Sequence, residues 1–179
     1  MVLLIASQWF LFLIPGLLML VGKEKFTSLG FTKKKLPRQI LTGVCVAAAM
    51  SAVLTVLPVL LGLRGMIGST NYTHPWQFAY EFLYAVSGVA LAEELIFRGY
   101  IFHKLLELKN SKAFAVVVSS ALFGLFHIFN GLSIQIIITA LIGVFYCLCR
   151  EKIRNCTIFS LILAHGLYDA MIVLWVGIL

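Results

Sequence analysis

Two adjacent glutamates lie in an apolar stretch of this 179-residue chain, and Arg98 follows them in the run LAEELIFR over residues 91–98. A carboxylate at the centre of a membrane helix costs about 2.5–3.5 kcal/mol. Such residues are therefore rare in membrane helices, and they mark a pocket or a water-filled cavity more often than a lipid-facing surface. A carboxylate held in this way can take a proton from water, which is general base catalysis.

The spacing of the two glutamates assigns them different roles. On an α-helix, Glu94 and Arg98 are one turn apart, and this spacing suits an ion pair. Glu93 lies about 140° from Arg98 around the helix axis. We therefore expect Arg98 to neutralise Glu94, and Glu93 to face away from that pair as the candidate general base.

Three further titratable residues lie in two other apolar stretches: His127 in one, and His165 and Asp169, four residues apart, in the last. At about 1.5 Å per residue, Glu93 lies roughly 20–25 Å and His127 about 21 Å from the cytoplasmic ends of their helices. His165 is shallower, at roughly 13–15 Å. We expect all three helices to line one pocket, with this mismatch in depth as the weakest part of the geometry.

The elements that must position these residues are membrane helices. Hydrophobic residues make up 61% of the chain and charged residues 12%, whereas soluble domains are about 25% charged. Six apolar segments of spanning or near-spanning length cover residues 1–22, 39–63, 78–102, 113–129, 132–149 and 157–179. The sequence predicts an all-α, polytopic membrane bundle of about six transmembrane helices, in one domain over 1–179 with a catalytic core over 78–179. Asn130–Gly131 predicts a tight turn between segments four and five.

The net charge of +7 does not indicate nucleic-acid binding, because thirteen of the fourteen lysines and arginines follow alternate segments, with Arg64 the exception. This asymmetry is typical of the positive-inside rule. It predicts a multi-pass cell-membrane protein with both termini outside and cytoplasmic connectors at 23–38, 103–112 and 150–156. On this basis the cavity is expected to open toward the cytoplasm.

Taken together, three motifs resemble those of the CPBP family of CAAX-prenyl proteases and bacteriocin-processing enzymes, also called the Abi family. The resemblance covers residues 84–170 and consists of Glu93-Glu94-x-x-x-Arg98, Phe123-x-x-x-His127 and His165-x-x-x-Asp169. Each motif alone is weak, but three in the family's order on apolar helices form a specific signal.

The resemblance implies an intramembrane endopeptidase in which Glu93 and His127 activate the attacking water. It implies that His165 and Asp169 stabilise the oxyanion. The prenyl-protein proteases of the family prefer Asn at the last position, and an ionised aspartate cannot donate a hydrogen bond. Asp169 is then protonated, orients His165, or binds a metal. Glu94 and Arg98 match the family's motif as a supporting pair.

Zinc is an alternative to a metal-free mechanism. Members of the family are often described as metalloproteases, and Glu93, His127 and His165 form an acceptable zinc set in number and type. The chain has no local signature of the H-E-x-x-H kind, which favours the metal-free form.

The expected partners are the lipid bilayer and a protein or peptide substrate that is lipidated or membrane-bound, with no nucleic acid.

Two other functions fit the same residues. A non-catalytic immunity or scaffold protein of the same fold would retain the pocket without using it. A proton-coupled transporter would use the buried acids as a relay, although the chain shows no inverted repeat of the kind that many transporters have.

Overall fold

The computed structural model describes residues 2–67, 74–128 and 133–178. Within these ranges the chain is 85% helical and contains no strand, which confirms the all-α prediction. Its six helices are α1 (Val2–Val21), α2 (Leu36–Leu60), α3 (75–109), α4 (Lys112–Phe126), α5 (Ser133–Lys152) and α6 (Ile158–Ile178). The turn predicted at Asn130–Gly131 lies outside the described residues.

Three stretches are long and apolar enough to cross a membrane within the part of the chain that the structure describes. These are Leu36–Leu60, Ile134–Lys152 and Ile158–Val176. Gln8–Val21 and Lys112–Phe126 are apolar but shorter. The chain is a membrane protein, and α3, which carries the two glutamates, is not among the three spans.

Polar contacts bring the basic connectors together at one end of the bundle. After α1, Glu24 pairs with Lys104 of α3 at 2.6 Å, and Lys112 at the start of α4 pairs with Glu151 of α5 at 2.5 Å. This end, which carries residues 22–35, 103–112 and 150–157, is called the basic end. The opposite end, where α1 and α3 begin, is called the far end.

Helix α3 is not a uniform α-helix. Its α-helical parts, Pro75–Tyr84, Leu91–Glu94 and Phe102–Lys109, are separated by π-helical turns at Ala85–Ala90 and Leu95–Ile101. A third π-helical turn, Ala52–Val56, lies within α2. Such wide turns are rare and occur frequently at functional sites. The two turns in α3 flank the glutamate pair on both sides.

Small residues allow the helices to approach closely. A β-carbon at Gly166 of α6 would lie 2.5 Å from the Cα of Val86, and one at Gly124 of α4 would lie 2.6 Å from the carbonyl oxygen of Ile136 in α5. Helix α4 packs along α5, which confirms the predicted pairing of segments four and five. The contact at Gly166 draws α6 onto α3 beside His165.

Candidate active site

The carboxylate of Glu93 lies between two imidazoles. Its Oε1 is 3.9 Å from Nε2 of His127, and its Oε2 is 3.8 Å from Nε2 of His165. Both separations are too long for a hydrogen bond, and one water can bridge a gap of this size. Oε2 of Glu93 has no hydrogen-bond partner among the described residues, although the residue is only 4% exposed.

Glu94, by contrast, is held by two donors on one oxygen. Its Oε1 accepts from Nη1 of Arg98 at 3.0 Å and lies 2.8 Å from Nδ1 of His165. The predicted Glu94–Arg98 pair is therefore confirmed, and it is almost fully buried. The contact with His165 was not predicted, because the sequence does not reveal which face of α6 meets α3.

The guanidinium of Arg98 is enclosed by aromatic rings. Its central carbon lies 3.9 Å from the ring centroid of Phe123 and 5.3 Å from that of Tyr146. Tyr146 is fully buried, and its ring centroid is 5.5 Å from that of His165. This position of Tyr146 was not predicted, since a tyrosine in an apolar segment is more often an ordinary core residue.

His127 is the first residue after α4, where the backbone leaves helical geometry. Its Nδ1 lies 2.9 Å from the carbonyl oxygen of Phe123. A carbonyl oxygen can only accept a hydrogen bond, so Nδ1 carries the proton and donates it. In the neutral ring the lone pair is therefore on Nε2, the nitrogen that faces Glu93.

His165 lies among carboxylates on α3 and on its own helix. Nε2 is 3.3 Å from Oδ2 of Asp169, and Nδ1 is the nitrogen that contacts Glu94. Because each ring nitrogen faces a carboxylate oxygen, the arrangement suits an imidazolium that donates from both. The side chain of Asp169 is one-third exposed, so it forms the more accessible edge of the cluster.

The depth mismatch expected for His165 does not prevent the residues from meeting. The estimate assumed that all helices end at the same level, and the structure shows that they do not. Ile158, the first residue of α6, packs in one cluster with Leu95 and Ala90 rather than beside the end of α3. Helix α3 therefore extends beyond the start of α6, which brings His165 level with Glu93.

A cavity of about 460 Å³ adjoins this cluster. Its walls come from α1, α3 and α4, and its lining residues are Gln8, Leu11, Tyr84, Val89, Glu93, Phe126 and His127. Gln8 donates a hydrogen bond to the hydroxyl of Tyr84 at 3.2 Å. Neither residue was predicted for the site, although a glutamine inside an apolar segment is a signal that could have indicated it.

Arg150 was predicted only as part of a basic connector. In the structure its guanidinium donates through Nη1 to the carbonyl oxygen of Arg98, and through Nη2 to that of Leu29 at 3.4 Å. It thus ties the end of α5 to the π-helical turn that carries Arg98. The sequence could not predict these hydrogen bonds, because a basic residue at a helix end fits the positive-inside rule with or without them.

The predicted zinc set does not converge in this arrangement. Zinc ligands lie about 2.0–2.2 Å from the metal, so three ligand atoms must approach one point. Here each oxygen of Glu93 faces a different imidazole, at 3.9 Å for His127 and 3.8 Å for His165. Among the described residues, no three histidine, cysteine, aspartate or glutamate side chains are placed to hold a metal ion.

Comparison with known proteins identifies one family. The family described as type II CAAX prenyl endopeptidase Rce1-like matches residues 75–171, which is more than half of the chain. The match includes α3, α4, α5 and most of α6. It therefore contains every residue of the glutamate–histidine cluster, which consists of Glu93, Glu94, Arg98, His127, His165 and Asp169. No curated protein and no solved structure matches the chain.

Proposed function

The chain belongs to the type II CAAX prenyl endopeptidase Rce1-like family, and from this premise we propose that it is an intramembrane endopeptidase whose attacking water is activated by Glu93 and His127. The observation that carries the proposal is the position of the Glu93 carboxylate, which lines the cavity 3.9 Å and 3.8 Å from two imidazoles. A protease family implies a protein or peptide substrate.

The first step is the activation of water. A water between Oε1 of Glu93 and Nε2 of His127 can donate one hydrogen to each, because both atoms are acceptors. As the water oxygen forms its bond to the carbonyl carbon of the peptide, one proton passes to Glu93. Burial of the carboxylate favours this transfer, because a poorly solvated charge accepts a proton readily.

The second step is the collapse of the tetrahedral intermediate. Its oxyanion accepts a hydrogen bond from Nε2–H of His165, which Glu94 holds from the other side of the ring. Preorganised donors of this kind are often the largest single contribution to catalysis. The peptide C–N bond then breaks, the amine takes the proton from Glu93, and a carboxylic acid and an amine are released.

The supporting residues fix the charge state of His165. The Glu94–Arg98 pair leaves one glutamate oxygen shared between guanidinium and imidazole. Asp169, 3.3 Å from Nε2 of His165, accepts from that nitrogen before the substrate binds and gives up the hydrogen bond to the oxyanion. It is therefore an orienting acceptor in this proposal rather than an oxyanion donor. The proposed steps use these side chains without a metal ion, and zinc at Glu93, His127 and His165 stays the alternative.

The proposed setting is a multi-pass protein of the cell membrane that acts on a membrane-bound or lipidated protein or peptide. The three apolar spans and the family support a membrane location. The proposal of a lipid anchor on the substrate rests on the family, whose members are described as prenyl endopeptidases.

The test is hydrolysis by the purified protein in liposomes. Membrane proteins and peptides are incubated with it in water carrying heavy oxygen, and new C-termini that contain the label are identified by mass spectrometry. We expect labelled products with the wild type and with Glu107→Gln, an exposed glutamate of the same helix, and none with Glu93→Gln or His127→Ala. Turnover by well-folded Glu93→Gln protein would refute the proposal.

The same assay separates the alternatives. A non-catalytic immunity or scaffold protein would give no labelled product in any variant, and Glu93→Gln would still protect the cell or bind its partner. A zinc enzyme would lose its activity on treatment with EDTA and regain it on addition of zinc. We expect the wild type to retain its activity in EDTA.

A further inference from the structure

Helices α1 and α3 run in the same direction, and their contacts give the site an orientation. Near the far end, Gln8 bonds Tyr84 and the indole of Trp9 donates to the carbonyl of Ser87 at 2.8 Å. At the basic end, Glu24 pairs with Lys104. Gln8 therefore lies about 20 Å along α1 from the basic end, by the rise of an α-helix.

The cavity extends from Glu93 toward the far end only. On α3 its lining residues are Tyr84, Val89 and Glu93, and none follows Glu93 along that helix. On α4 it is lined by the last turn and His127, at the opposite end of that helix from Lys112. The partly exposed Asp169 also lies beyond His165 in the direction of the far end.

The side of the cluster that faces the basic end is closed by packed side chains. Leu29 and Ile158 are fully buried, and they pack with Leu95 in one apolar cluster. Arg98 and Phe102, which follow Glu93 along α3, are 1% and 2% exposed. Within the described part of the chain, the site is therefore sealed toward the basic connectors.

The charge of the connectors indicates which of the two ends faces the cytoplasm. Eleven of the fourteen lysines and arginines lie at the basic end, and Arg38 follows in the first turn of α2. The other two are Arg64 and the buried Arg98. The positive-inside rule places such an end in the cytoplasm. A cavity that opens toward the far end then opens toward the outer face.

We infer that the cavity is entered from the face of the membrane opposite the basic connectors, so that its substrate is a peptide segment presented on the outer, non-cytoplasmic side. The part about the substrate rests on the proposed endopeptidase function. The sequence predicted that both the basic connectors and the mouth of the cavity face the cytoplasm. The cavity extends away from the basic end, so the two predictions cannot both hold. The connector charge is the stronger of the two observations, since it involves most of the basic residues of the chain.

The test is labelling of single added cysteines with a membrane-impermeant maleimide. Each cysteine is introduced into a Cys45→Ser protein, which lacks the exposed native cysteine and by itself measures background labelling. Gln8→Cys and Tyr84→Cys report on the cavity, and Lys33→Cys reports on the basic end. In intact cells we expect labelling of Gln8→Cys and Tyr84→Cys but not of Lys33→Cys. In inverted vesicles we expect labelling of Lys33→Cys alone.

Three outcomes would overturn the inference: labelling of Lys33→Cys in intact cells, labelling of the cavity cysteines only in inverted vesicles, or no labelling of them from either side. Correct folding of each variant is checked by a monodisperse profile in detergent. Labelling needs no turnover, so repeating it with Glu93→Gln separates a failure of sidedness from a failure of the catalytic proposal. For an active protein, sealed right-side-out vesicles should cleave a peptide added outside and spare one enclosed within.

Discussion

Glu93 and Glu94 are neighbours in sequence, yet they occupy opposite kinds of environment. Glu94 accepts from a guanidinium and an imidazole at 3.0 Å and 2.8 Å and is fully buried. Glu93 is nearly as buried but lines a cavity, with both imidazoles about 1 Å beyond hydrogen-bond distance. One carboxylate is held in place, and the other lines a cavity with no hydrogen-bond partner on Oε2 among the described residues.

One helix thus places a carboxylate held by two donors directly beside one that faces a cavity. A buried charge is stabilised by a partner and good hydrogen bonds, but a carboxylate held by two donors, as Glu94 is on Oε1, is a poor base. A stable buried charge and a carboxylate that can accept a proton are different requirements, and here they fall on adjacent residues. Glu94 and Arg98 hold His165, while Oε2 of Glu93 keeps no hydrogen-bond partner among the described residues. If this division is correct, substitutions of the two glutamates should have different effects on stability.

The largest expected effect on stability comes from breaking the buried pair. Glu94→Gln leaves the Arg98 guanidinium as an unpaired buried charge, which should lower the free energy of unfolding by about 3–5 kcal/mol. Arg98→Gln should cost less, because Glu94 keeps its contact with His165. Glu93→Gln removes a carboxylate without a hydrogen-bond partner on Oε2 and should leave stability unchanged or higher. Denaturant unfolding in detergent measures all three variants. Equal losses for the two glutamates would contradict the division of roles.

The next effect concerns the contact that positions His165. Gly166→Ala places a β-carbon 2.5 Å from the Cα of Val86, so α6 must move away from α3. Overpacking of this kind costs about 1–3 kcal/mol, and the movement should reduce kcat as His165 leaves Glu94. Gly65→Ala serves as a matched control, because a β-carbon at Gly65 meets nothing within 4 Å. A fully active Gly166→Ala enzyme would show that the approach is not needed.

A smaller effect is expected from the residue that ties α5 to α3. Arg150→Lys keeps the charge but cannot reach the carbonyls of both Arg98 and Leu29. The bond to Leu29 is long at 3.4 Å, so its loss should lower the free energy of unfolding by only about 1 kcal/mol. The looser turn at Arg98 should reduce kcat modestly with KM unchanged. Lys152→Arg at the same helix end should have no effect. A change in KM alone would indicate a role in binding instead of positioning.

The sequence predicted the helical class, the Glu94–Arg98 pair and the set of helices that form the site, because each depends on local spacing or composition. It did not predict the contact between His165 and Glu94, the role of Arg150, or the cavity wall at Gln8. These depend on the rotation and axial offset of separate helices. The error in the depth of His165 had the same origin, since hydropathy does not fix where one helix ends relative to another.

The smallest effect lies at the basic end, far from both glutamates. Lys104 donates a hydrogen bond to Glu107 at 2.8 Å, which lowers the pKa of that exposed carboxyl from its usual 4.5. A lowered native pKa stabilises the fold above the unfolded value, and this stability is lost as the pH falls through the native pKa. Glu107→Gln should therefore reduce the Tm slightly at neutral pH, since exposed ion pairs contribute little. The difference from wild type should shrink as the pH falls below 4.5 and vanish once the pH is below the lowered native pKa. A difference that grew on acidification would contradict this prediction.

The π-helical turns on either side of the glutamate pair also affect how the chain tolerates changes in length. A π turn contains one residue more than an α turn of similar height, so deleting one residue from Ala85–Ala90 can return that stretch to α geometry. The segments on either side then keep nearly the same rotation about the helix axis, because the extra residue was absorbed within the turn itself. Tyr84 would stay near Gln8, and Glu94 and Arg98 would keep their spacing. The helix can thus lose one residue at this turn while the cavity wall and the pair of glutamates remain in place.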